Sequence, residues 1–216
     1  LKMAEGMFGP NTASLKGKTV RRAPPQADQR IEGVPSELLN KQVNIELTMD
    51  LFFVNSIPFI LTVSRHLHFV TVEELNNRQP ARIAEKLRSV MKLYQHRGFS
   101  IQSLHGDPEF EPLRPDFPHL STVGADDHVA EAERCIRTVK ERVRAAYCSL
   151  PFKRIPRNMM IRLVKNVVFW MNAFVSRNSA SREHSPRFIM TGRQLDYAKH
   201  ARLEFGEYVQ THEKHD

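Results

Sequence analysis

Cysteine is nearly absent: Cys135 and Cys148 are the only two in 216 residues, and neither has a C-x-x-C partner. A disulfide framework and a cysteine-built structural zinc site are therefore both excluded, and a reducing, intracellular setting, nucleus or cytoplasm, is the expectation. Long apolar runs are missing too. The longest, Met49 to Val63, is broken by Asp50, Asn55 and Pro58 and falls short of the roughly 20 apolar residues that a membrane-spanning helix needs. No membrane association is expected. The opening Leu1-Lys2-Met3-Ala4-Glu5 has no charged head followed by an apolar stretch, so no secretory signal is read there, and the missing initiator Met reads as a piece of a longer chain. With 41% hydrophobic and 26% charged residues, collagen-like, low-complexity and largely disordered classes are excluded as well.

Charge is present in excess and in one place. The chain carries 32 Lys and Arg against 24 Asp and Glu, a net +8. Between Arg134 and Lys165 ten basic residues face the single acid Glu141, a net +9, so the rest of the chain is slightly acidic. Such concentration is the footprint of phosphate neutralisation and counterion release; the blander reading is a solvated helix face. A smaller basic run, Lys16, Lys18, Arg21 and Arg22, lies near the start.

Residues 1–40 show no sustained period and carry Gly9-Pro10, Pro24-Pro25 and Pro35, which reads as an extended basic leader. Val43, Ile45, Leu47, Met49 and Leu51 then alternate with Asn44, Glu46, Thr48 and Asp50, a strand with Asp50 on its polar side. Phe52–Val63 and His66–Val72 extend this to an antiparallel meander with turns near Asn55-Ser56 and Ser64-Arg65. A helix is predicted over 80–97, from Ile83, Leu87, Val90, Met91 and Tyr94 at helical spacing with Gly98 behind them. Phe99, Ile101 and Leu104 make a short strand that delivers Asp107 into a polar loop. Beyond the apolar run Leu120–Val123, a long helix starts near Asp127 with Val129, Ala132, Ile136, Val139, Val143 and Ala146 inward. Asp126-Asp127 reads as its N-cap. A second helix, about Arg157–Val175, has Met160, Leu163, Val164, Val167, Trp170, Met171 and Phe174 buried, the aromatic members as core packing. Residues 41–175 are thus one core domain and 176–216 a C-terminal extension, in whose tail His212 and His215 read as solvated.

Three antiparallel strands, a helix, then parallel strands and flanking helices make a mixed-sheet α/β chain. Asp50 lies in the first strand, Asp107 just after the fourth and Glu133 near the start of the long helix. That is the layout of a ribonuclease H-like fold, whose acids meet at one end of the sheet. Two Mg²⁺ ions roughly 3.5 to 4 Å apart can activate the attacking oxygen and stabilise the leaving oxygen of a phosphodiester, and such hard cations need carboxylate oxygen. Glu131 competes with Glu133 for the third place. The two lie about 200° apart on a helix; Glu133 shares its side with Arg137 and Lys140, Glu131 with Cys135, Thr138 and Arg142. A simple i, i+4 pair of Glu133 with Arg137 is the plainer alternative.

These segments carry a resemblance. Glu133-Arg134 with Arg137-Thr138, preceded by His128-Val129, resembles the third-acid segment of copia-type retrotransposon integrases. Thr48-Met49-Asp50-Leu51-Phe52-Phe53-Val54-Asn55 with Thr62-Val63-Ser64-Arg65-His66 resembles the first-acid hairpin of copia-like elements of diatoms and related microalgae, and Asp107-Pro108-Glu109-Phe110-Glu111-Pro112-Leu113-Arg114 their second-acid segment. The resemblance implies the catalytic core of an integrase cut from a Pol polyprotein. Such a protein binds double-stranded DNA, both element ends and target, works as a homo-multimer assembled on DNA, and joins 3′ hydroxyls to the target by metal-dependent transesterification. Asp50, Asp107 and Glu133 are then the metal-binding triad for Mg²⁺ or Mn²⁺, two ions being expected. Arg137, Lys140 and Arg144 are the candidate DNA contacts, chosen by position along the helix. Two departures stand out. Asp50 and Asp107 are separated by 57 residues, Asp107 and Glu133 by only 26, short for such integrases, which implies a trimmed loop and fifth strand; and no Cys precedes residue 135 to build the family's upstream zinc module. A catalytically inactive, nucleic-acid-binding remnant is the alternative, and a ribonuclease H or junction nuclease a third reading.

Overall fold

The structure is a computed structural model that describes residues 31–122, 126–175 and 179–208, with Met3; of residues 126–129 it describes the backbone alone. The basic run near the start, the Asp126-Asp127 cap and the histidines of the tail lie outside the described side chains. By backbone contacts Arg30–Phe205 forms one unit, and residues 1–29 with 206–216 fall in another. Everything below concerns the first.

Its elements are α1 (Ser36–Gln42), β1 (Asn44–Val54), β2 (Ile57–Ser64), β3 (Val70–Glu74), α2 (Pro80–His96), β4 (Ser100–His105), a 3-10 turn at Pro108–Leu113, β5 (Leu120–Ser121), α3 (Asp126–Cys148), α4 (Arg157–Ala173), α5 (Pro186–Thr191) and α6 (Tyr197–His200). The end of the expected extended leader is thus helical. The five strands form one sheet in the order β3-β2-β1-β4-β5. β1 to β3 pair antiparallel, while β1 with β4 and β4 with β5 run parallel. This is the mixed sheet of the ribonuclease H-like class.

The first strand runs on through Val54, three residues past the predicted end. Asn55 and Ser56 both take positive φ, 48° and 61°, as a two-residue hairpin turn requires, and the ladder holds register up to Val54↔Ile57. Alternation along the strands then feeds two cores. Ile45, Leu47 and Met49 pack with α2 residues Leu87, Val90 and Tyr94 on one face. Phe52, Phe59, Leu61 and Val63 pack with Ala132, Val139 and Val143 of α3, and with Leu163 and Val164 of α4, on the other. Ile189 and Met190 of α5 join the first core. Among the described residues no helix is long and apolar enough to cross a membrane.

Two details differ from the sequence reading. Phe174 is 54% exposed, and Trp170 and Met171 are half-buried. The helix ends at Ala173, and Phe174 has extended backbone angles, so it leaves the inward stripe of Met160, Leu163, Val164 and Val167. The edge strand β3 is also closed by a device that the pattern does not disclose. Asn172 accepts from the Val70 N–H at 2.9 Å through Oδ1 and donates to the Val70 carbonyl at 2.7 Å through Nδ2. One side chain thus replaces a neighbouring strand at a position where unpaired groups would be buried. Lys165 of α4 reinforces the junction through Glu73 at 3.4 Å and Glu74 at 3.6 Å.

Replacing Asn172 by Leu strands both Val70 groups in an apolar setting. The expected loss is about 2–4 kcal/mol, read from urea unfolding. Glu46→Gln at the exposed Arg65 pair is the control and should move stability by less than about 1 kcal/mol.

Candidate active site

β1 is the middle strand of the sheet, and its alternation turns Thr48, Asp50 and Phe52 toward the α3 side. Asp50 is half-buried there, and Oδ1 accepts a hydrogen bond of 2.6 Å from the Leu51 N–H. The parallel register between β1 and β4 ends at Thr48↔His105. Two residues further on lie Asp50, still within β1 and paired with Leu61, and Asp107, just past the end of β4. Gly106 makes the exit from β4 possible, because a Cβ at this position would stand 2.7 Å from the Phe110 ring and 3.2 Å from Met49. The chain crosses the core there with no room for a side chain.

α3 supplies the third wall. Its apolar stripe of Ala132, Ile136, Val139 and Val143 is buried against the sheet, which fixes its rotation. Glu133, Arg137, Lys140 and Arg144 line a cleft of about 390 Å³ with Asp50 and Phe52. The Lys140 ammonium sits 6.0 Å from the centre of the Phe52 ring. Of the sequence-selected residues, Asp50, Glu133, Arg137, Lys140 and Arg144 therefore share one cleft, and Asp107 adjoins it.

Electrostatics ties these acids together. The carboxyl of Asp50 is pushed up to about 6, first by burial and then by the negative charges of Asp107, Glu133 and Glu109; the Leu51 N–H partly offsets this. Glu109 was not singled out from the sequence; its place two residues after Asp107, in a stretch rich in acids, was the available signal. Arg78 holds it at 3.3 Å while lying over the Phe53 ring at 5.6 Å. Glu131 is elsewhere. It pairs with His68 at 3.6 Å in a separate groove with Arg134, Cys135, Thr138 and Arg142. The Cys135 thiol is pushed up to about 12 by burial and by Glu131, so it is no nucleophile at neutral pH.

The donor set at the cleft is all carboxylate oxygen, which suits a hard divalent cation. Among the described residues, however, no three of His, Cys, Asp and Glu are gathered as tightly as a metal ion requires. The cations around the acids are free to meet an outside anion: of the ten basic residues between Arg134 and Lys165, ion pairs among the described residues engage Lys165 alone.

No family model matches the chain, and no curated protein matches it. Among solved structures, the chain is similar to the crystal structure of the catalytic core domain of BIV integrase, at 13% identity and a TM-score of 0.47 over 67% of this chain and 92% of that one. At this level no residue role is carried over from that protein.

The raised Asp50 carboxyl makes stability depend on pH. Below about 4 the group is protonated in both folded and unfolded chains and costs nothing. Between pH 4 and 6 the unfolded chain ionises first, so stability falls as pH rises, and the loss is complete above 6. Asp50→Asn keeps the acceptor for Leu51 and removes the charge. Discounted for the solvent that reaches this partly exposed group, the gain over the parent should be on the order of 1–2 kcal/mol at pH 8, with the gap closing by pH 4, as measured by urea unfolding across that range.

Proposed function

We propose that the chain is the catalytic core of a copia-type retrotransposon integrase, a polynucleotidyl transferase that joins 3′ hydroxyls of double-stranded element DNA to target DNA. The observation that carries this reading is the sharing of one cleft by Asp50, Glu133 and the cations Arg137, Lys140 and Arg144, with Asp107 close enough to raise the Asp50 carboxyl. Asp50, Asp107 and Glu133 would hold Mg²⁺ or Mn²⁺, two ions in the full assembly. When bound, such ions supply activation of the attacking oxygen and neutralisation of the leaving one.

The protein's own part is placement and charge. Asp50 is carried by the rigid middle strand and Glu133 by a helix locked through its apolar stripe, so both are presented from elements rather than from loops. Arg137, Lys140 and Arg144 recur at i+4, i+7 and i+11 from Glu133 along the same wall of the cleft, which suits phosphates that flank the one being attacked. Repulsion from Asp107, Glu133 and Glu109 disfavours the ionised form of Asp50, and a cation among the acids would offset it. Cation binding should therefore release protons and strengthen as pH rises through about 6.

A second reading, nucleic-acid binding without chemistry, is favoured by the looseness of the acid cluster among the described residues and by the 26 residues between Asp107 and Glu133. One assay separates the two: Mn²⁺-dependent cutting and joining of a branched DNA that mimics an integration product. The integrase reading expects activity that drops at least roughly a hundredfold in each of Asp50→Asn, Asp107→Asn and Glu133→Gln. An inactive parent that still binds DNA, with an affinity that salt weakens, would establish the binding remnant instead. Hydrolysis without joining would point to a nuclease.

A further inference from the structure

The outer side of α4 carries a run of rings that the core does not use. Phe169 and Trp170 meet edge to face at 5.2 Å. Trp170 then stacks on Phe174 at 6.2 Å and 25°, and Phe174 on Tyr197 of α6 at 5.9 Å and 20°. Tyr197 is tied down by its hydroxyl, which donates to the Ala173 carbonyl at 3.2 Å. Phe174 is 54% and Tyr197 48% exposed. Beside them lies a cavity of about 610 Å³, walled by Phe169, Trp170, Asn166, Ser149 and the segment through Phe205.

Charge decides what such a surface fits. The Arg187 guanidinium lies 4.4 Å from the centre of the Phe169 ring, and Arg162, exposed, stands one helical turn before Asn166. Met171, next to Trp170, forms part of the second groove, about 490 Å³, along the outer face of α3. Arg134 and Arg142 line that groove, and neither makes an ion pair among the described residues; its one carboxylate, Glu131, is taken by His68. Near the rings, Asp196 is engaged by Lys199 at 3.1 Å, and Glu204 stands at the cavity wall. The groove with Arg134 and Arg142 and the cavity beside the rings are both walled by α3 and α4, through Arg142 and Met171 in one and Ala146 and Trp170 in the other.

We propose that this surface binds single-stranded nucleic acid, separately from the acid-lined cleft, with unpaired bases laid against the exposed parts of Phe174 and Tyr197, the open end of the run that Trp170 begins, and the phosphodiester chain running past Arg142 toward Arg134. Rings joined to a positive track are how strands are held without regard to sequence. A duplex keeps its base faces stacked on one another and has none to offer, so the rings select the single strand.

Trp170 is the only tryptophan in the chain, and its emission reports directly on the site. The full chain in metal-free buffer is titrated with a short oligo(dT). Saturable quenching is expected, weakened by salt, unchanged in Asp50→Asn, and weakened roughly tenfold in Phe174→Ala and in Tyr197→Ala. Arg142→Gln, which leaves every ring in place, should lower affinity and reduce the salt slope by about 0.7. The proposal is overturned by absence of binding, by binding of a labelled oligo(dT) that leaves Trp170 emission unchanged, or by an equal response to blunt duplex DNA. It is also overturned if the emission shifts with protein concentration alone, the mark of a second copy covering the rings.

Discussion

Burial of the Asp50 carboxylate on the middle strand of the sheet carries a cost, and much of the architecture around it answers that cost. Asp50 sits on the β1–β2 ladder, just past the end of the one between β1 and β4, and beneath a helix, where water reaches it only in part, and three further acids raise the free energy of its ionised form. A polar residue without a charge would suit the position better if packing were the sole requirement. Persistence of an ionisable group there, among other acids and facing unpaired cations, is the pattern expected where a ligand rather than the fold supplies the missing countercharge.

The basic residues complete that logic by their lack of partners. Elsewhere on the described surface several cations do pair with acids: Arg65 with Glu46, Arg82 with Glu85, Arg88 with Asp116. Along α3 they do not. Each unmatched cation loses little by exposure to water, yet together they repel one another, and a polyanion lying across them relieves that repulsion and releases its own counterions. The local charge is therefore a statement about an outside partner more than about stability.

Much of this was legible in the sequence because it rests on short-range periodicity. Alternation from Val43 onward gives β1 and the face of Asp50, and helical spacing gives α2 as Pro80–His96 and the inward stripe of α3. The angle between Glu131 and Glu133 sends them to different grooves, as helix geometry requires. What stayed hidden depends on where elements end or on contacts distant in sequence. Phe174 reads as a continuation of an apolar stripe and is instead one residue past the helix. Asn172 reads as a polar gap and is instead the cap of an edge strand 102 residues away. Glu109 joins the acids that raise Asp50 from the 3-10 turn that follows Asp107. The need for Gly106 follows from the proximity of Phe110 and Met49, which no local pattern announces.

The short interval before Glu133 looks at first like damage to the site, but the placement of Glu133 does not depend on the length of that loop. With about 100° per residue, α3 carries three separate stripes. Ala132, Ile136, Val139 and Val143 point into the sheet; Glu133, Arg137, Lys140 and Arg144 lie to one side of them; Arg134, Thr138 and Arg142 lie toward the outer groove. Burial of the first stripe fixes the rotation of the helix, and with it the direction of both others. The interval of 26 residues leaves β5 two residues long without turning Glu133 away from the cleft. An insertion of one residue between Glu133 and Ile136 would do what the length of that loop does not. It would rotate Glu133 by about 100° relative to the downstream stripe, so acid and cations could no longer face the same cleft while the apolar contacts were kept.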